Sequence, residues 1–155
     1  MTWQVKASEL GTLVGKTFEP SGWFLLDQAR VNAFADATLD HQFIHVDPER
    51  AAKTPFGTTV AHGFLTLSLL GHLCKSSGFA VEGALMSVNY GLNRVRFMSP
   101  VAVGSEIRAV RTVKAVEPRA RGQYLLTADI TVEIKGKTKP AMTAEWLSLF
   151  VFPES

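Results

Sequence analysis

Asp40 and His45 stand five positions apart, and Gly63 follows within Ala61-His62-Gly63-Phe64-Leu65. A carboxylate and an imidazole are side chains that move protons near neutral pH. Five is a poor spacing for one helical face, where neighbours fall three or four apart. The pair is therefore expected on a loop that folds back and aims both groups at one point. Gly63 opens a long apolar run, and a glycine at a helix start leaves its N–H open to an incoming oxygen. Acid, base and open amide together suit chemistry beside a carbonyl, and the reading is addition of water to an activated double bond.

The division of labour follows from that chemistry. Water is a weak nucleophile, so a base must take its proton during attack, and His45 fits that task. Asp40 would share the water or return a proton to the neighbouring carbon; which of the two returns it stays open. Charge growing on the carbonyl oxygen would meet the Gly63 N–H, helped by the helix dipole. Taken singly, Asp40 reads as a turn cap and His45, between Ile44 and Val46, as a core histidine. Their combination with Gly63 favours function. His41 and His45 at i, i+4 beside Asp40 hint at a metal, but no third ligand is spaced to complete a site, so none is expected. His62 is read as shaping the turn and His72 as buried mid-helix or at an interface. Ser68 is a candidate to face the site, with a back-bonded helical serine as the alternative.

Several elements must hold these residues. Short strands are expected at residues 13–19 and 22–26, then a helix at 28–37 capped by Asp27. Asp47-Pro48-Glu49 predicts a small helix reaching residue 53. Residues 61–75 are apolar on nearly every side, so a buried helix is predicted, ended by Ser76-Ser77-Gly78. The rest reads as strands: 84–90 and 92–97 split by Gly91, then 106–115, 123–135 and 142–152. The stretch 123–135 alternates almost without fault, as a sheet with one buried face does. One buried helix followed by long antiparallel strands, with no βαβ alternation, predicts an α+β fold: a curved antiparallel sheet wrapped around a central helix. Apolar residues on both faces of 142–152 suggest cover from a partner subunit.

The 155 residues are read as one domain, 46% apolar and 19% charged. A net charge of +2 with scattered cations argues against a nucleic-acid partner. No apolar run is long enough to span a bilayer, and the first residues lack a signal-peptide core. The single cysteine, Cys74, fits a reducing compartment, so a cytoplasmic protein is expected.

The run Asp40-His41-Gln42-Phe43-Ile44-His45-Val46-Asp47-Pro48, followed by Ala61-His62-Gly63, resembles the signature of the MaoC-like (R)-specific enoyl-CoA hydratases, which have the hot-dog fold. Residues 89–97 are similar to its nodulation-protein-N-like branch. The resemblance implies catalytic roles for Asp40 and His45 and an oxyanion-binding role for the Gly63 N–H. It also implies a homodimer that takes an acyl-CoA near the subunit boundary and needs no cofactor. Gln42-Phe43 departs from the Asn-Pro of the commoner pattern. Tyr90, Asn93 and Arg94 become candidates to meet the CoA arm, although strand alternation sends Arg94 and Arg96 to one face and Asn93 to the other. The competing functions are an acyl-CoA thioesterase on the same scaffold and a non-catalytic acyl-CoA-binding protein.

Overall fold

A computed structural model describes residues 3–75 and 77–153. Its strands are β1 (Trp3–Lys6), β2 (Phe24–Leu25), β3 (Phe79–Glu82), β4 (Met86–Phe97), β5 (Glu106–Arg119), β6 (Gln123–Ile134) and β7 (Met142–Val151). The helices are α1 (Gln28–Thr38), α2 (Phe43–Val46), α3 (Pro48–Ala51), α4 (Gly63–Ser68) and α5 (Leu70–Lys75). Strands β2-β5-β6-β7-β4, in that order, form one antiparallel sheet. Leu126, Ala128, Ile130 and Val132 of β6 are buried in one cluster with Leu65 of α4 and Leu70 and Leu73 of α5. The period-2 pattern and the helical apolar run therefore bury one another, as expected.

The first strand expectations hold only in part. Ala7–Leu13 is a 3₁₀ stretch, and the following chain runs beside β5 through single contacts instead of a ladder. Phe18 donates to Arg111 and Ser21 to Ala109, while Thr17 alone bridges Thr112. Pro20 lacks an N–H and Gly15 sits at φ +83°, so regular pairing is interrupted there. Strand β1 pairs in parallel with β3, a long-range contact that the local pattern did not announce. In contrast, Gly91 does not split a strand. It sits at a bulge, and β4 keeps pairing with β7 on both sides of it.

The central helix is broken at Leu69, which lies in a turn between α4 and α5. The Ser68 hydroxyl donates to the Phe64 carbonyl at 2.7 Å, a back-bond that bends helices. Gly71 further weakens the helical preference beyond it. Cover is also incomplete, because Phe64 is 68% exposed and His72 is exposed too, with its ring edge on Phe24. The expected terminator includes Ser76, which lies outside the described residues; Gly78, at φ +99°, supplies a left-handed turn there. No helix among the described residues is long and apolar enough to cross a membrane.

Candidate active site

Helix α1 begins where Asp27 caps it, its carboxylate accepting from the Arg30 amide at 2.9 Å. It ends at Leu39, a non-glycine residue at φ +61°. A left-handed β-carbon costs about 1–2 kcal/mol, so this turn is held by its surroundings. It delivers Asp40, whose side chain is 54% exposed. The next residues coil into the single turn α2, and His45 lies near its end, 8% exposed. The pair thus comes from a loop and a one-turn helix, not from one irregular loop.

Residues 59–62 run alongside α2 and fix the imidazole. The Val60 amide donates to the Ile44 carbonyl at 3.0 Å, and the Val60 carbonyl lies 2.6 Å from His45 Nδ1. A carbonyl only accepts, so Nδ1 carries the hydrogen and Nε2 keeps its lone pair. That is the tautomer a general base requires. Gln28 secures the arrangement from α1: its amide donates to the His45 carbonyl at 2.7 Å and accepts from the Thr59 hydroxyl at 2.6 Å. Gln28 was not singled out from the sequence, where it reads only as the first helical residue.

His62 is the other group that the sequence undervalued. Its ring is buried at 3% exposure and stacks on His45, with centroids 3.8 Å apart and planes 24° apart. Its Nε2 donates to the Asp40 carbonyl at 3.0 Å and lies 3.9 Å from an Asp40 carboxylate oxygen. Asp40, His45 and His62 bring one ligand atom each within 4.8 Å of one another. A metal would need imidazole lone pairs converging at about 2.0–2.1 Å. Stacked rings send theirs side by side, and one nitrogen of each ring is already bonded. The trio suits proton transfer better than holding an ion.

Gly63 follows His62 directly and opens α4, and its N–H has no acceptor among the described residues. A β-carbon there would meet the Phe97 ring at 3.0 Å, so glycine is what lets that ring lie against the chain. Gly63, Thr66, Phe56 and Phe97 line a largely apolar cavity of about 320 Å³. Asp40 and His45 do not line it; they reach it through the His62–Gly63 link.

Residues 9–134 match the family of the MaoC like domain. The chain belongs to the MaoC-like family. It is 48% identical over 144 residues to the 3-hydroxyacyl-thioester dehydratase Z of Mycobacterium tuberculosis, covering 93% of this chain and 95% of that one. It is 46% identical over 151 residues to nodulation protein N of Rhizobium meliloti, covering 96% and 93%. Its structure is similar to an (R)-hydratase from A. caviae involved in PHA biosynthesis, with a TM-score of 0.64, 28% identity and 90% and 96% of the two chains covered. The MaoC-like architecture here is the hot-dog fold expected from the sequence.

The remaining candidates lie elsewhere in this MaoC-like domain. Ser68 is back-bonded and, with Tyr90, Leu92 and Trp146, lines a separate cavity of about 290 Å³. Asn93 donates to the Glu145 carboxylate at 2.6 Å, and Arg94 lines a polar hollow beside Glu145 and Lys114. The second β4 bulge, between Leu92 and Arg94, breaks strict alternation and brings Asn93 and Arg94 to the same acidic partner. Hydrogen bonds from Asn93 and Lys114 are the main reason the Glu145 carboxyl is held below its ordinary range.

Proposed function

We propose that the protein adds water to trans-2-enoyl-CoA to give (R)-3-hydroxyacyl-CoA, and catalyses the reverse dehydration. The observation that carries this reading is the pairing of an exposed carboxylate with an imidazole whose Nε2 is left free, next to the unpaired Gly63 amide. The relative named as a 3-hydroxyacyl-thioester dehydratase supports the reaction class, and the similar (R)-hydratase supports the hand of the product.

In an enoyl thioester the third carbon is electrophilic because charge can flow to the thioester oxygen. His45 Nε2 takes a proton from a water that the Asp40 carboxylate also holds, and the water oxygen bonds to the third carbon. Electron density moves to the thioester oxygen, where the Gly63 N–H receives it. The second carbon then takes back a proton through the Asp40–His45 pair. The atoms balance as enoyl thioester plus water giving the 3-hydroxy thioester. Thr66, Phe56 and Phe97 shape the apolar cavity that flanks the reacting end. Asn93 and Arg94, engaged with Glu145, take no part in this reading.

The working unit is a homodimer joined along β4. Among the described residues that strand pairs only with β7, so its other edge has free main-chain groups. Met86 and Val88 of this strand are exposed, as is Leu85 just before it. Exposed apolar side chains beside an open edge are what strand-to-strand association covers.

Crotonyl-CoA tests the function. Hydration is expected to remove the absorbance of the conjugated bond with no release of thiol. Thiol release would identify a thioesterase instead, and binding without either change would leave an acyl-CoA-binding protein.

A further inference from the structure

We infer that His62 is a positioning residue for the Asp40–His45 pair, holding the Asp40 loop through its Nε2–H and the His45 ring through its face. This rests on the hydratase reading of those two residues. His62 lies between Phe34, at a ring distance of 4.9 Å, and His45, at 3.8 Å. Its Nδ1 is buried and has no partner among the described residues. Leaving a buried polar atom unpaired is costly, and native chains carry few such atoms without a reason. A phenylalanine would fill the same slot, stack on the same ring and carry no orphan nitrogen. What phenylalanine cannot do is donate to the Asp40 carbonyl.

That donation is the firmest hold on Asp40. Among the described residues its other hydrogen bond comes from the Gln42 amide to the carboxylate, at 3.4 Å. The residue before it, Leu39, is in a left-handed turn that favours release. Half-exposed and weakly tethered, the carboxylate depends on its main chain being fixed. His62 does this while bonded covalently to Gly63, so one residue ties together the acid, the base and the open amide. Groups that orient metal ligands through a second hydrogen bond typically matter about 10–100-fold in activity, and a hold of the same kind on Asp40 is assigned the same order.

The test uses the full chain with His62→Phe, which keeps the stack and loses the donor, and His62→Gln, which keeps a donor of similar reach. With crotonyl-CoA, His62→Phe is expected to lower kcat about 10–100-fold with KM changed less than about threefold, and His62→Gln to recover most of that loss. A folded His62→Phe with parental kcat overturns the inference, and so does a glutamine variant no better than phenylalanine. Long-range ¹H–¹⁵N spectra of the parent's imidazoles give a reading independent of turnover. They should show His62 with its hydrogen on Nε2, and the Nδ1–H tautomer would overturn the inference even if neither variant folds. A parent that fails to hydrate any enoyl thioester while showing the Nε2–H tautomer at His62 sinks the hydratase reading and leaves the His62–Asp40 hold intact.

Discussion

The Val60 carbonyl oxygen lies 2.6 Å from His45 Nδ1, and it belongs to the main chain, so no side-chain substitution at Val60 removes it. The imidazole's orientation and tautomer are thus separable from its role as a base. An asparagine at this position can still donate to Val60 in place of Nδ1 but offers nothing where Nε2 was. His45→Asn is expected to lower kcat about 10²–10⁴-fold with a melting temperature within a few degrees of the parent. Asp40→Asn, on a half-exposed side chain, should do the same with a stability change within about 0.5 kcal/mol. Steady-state hydration and thermal melts on the same samples check both.

Gly63 is constrained by a neighbour and not by its own backbone, whose φ is not among the positive values. The added methyl of Gly63→Ala would lie 3.0 Å from the Phe97 ring, at an edge where that ring is half exposed and can swing. A cost of about 1–3 kcal/mol is expected from the crowding, with kcat lowered as the amide shifts. Combining it with Phe97→Leu should recover stability and, as the amide returns, part of kcat. Chemical denaturation and turnover of the single and double variants read the two effects apart.

Burial pushes the Cys74 thiol up, and the nearby Arg111 guanidinium offsets only part of this. A group whose pKa is higher folded than unfolded stabilises fully below its unfolded value and loses that contribution as pH rises through the folded one. Stability owed to Cys74 is therefore complete below about pH 8.5 and declines above it. Cys74→Ala removes the thiol together with this dependence. Its deficit in melting temperature against the parent should be largest near pH 7 and shrink by pH 10, as melts across that range would show.

Dimerisation through β4 predicts that a charge beside its open edge separates the copies. Val88→Lys should turn a dimer into a monomer in sedimentation experiments, with a far-ultraviolet spectrum close to the parent's. Activity should fall with the dimer fraction as protein is diluted.

The sheet was legible because β6 alternates over its whole length, and α1 because Asp27 and the Val31–Ala35 spacing mark it. Asp40, His45 and Gly63 stood out by residue type and spacing, and the chain does bring their segments together. The β1–β3 pairing was not legible, since a parallel contact across more than seventy residues leaves no local period. Gln28 was passed over, and His62 read only as shaping a turn, for a related reason. Each looks ordinary beside its sequence neighbours, and its part depends on groups 17 or more positions away, Asp40, His45 and Thr59. The Asn93–Arg94 bulge likewise defeats a simple alternation rule, because one inserted residue reverses the face.

The stereochemistry of hydration is the most direct test of the whole reading. The protein is incubated with a trans-2-enoyl-CoA, and the 3-hydroxyacyl product is resolved on a chiral support. An (R)-3-hydroxyacyl-CoA that forms with the parent and disappears with both Asp40→Asn and His45→Asn is the expected result. An (S) product, free CoA, or undiminished hydration by either variant would contradict it.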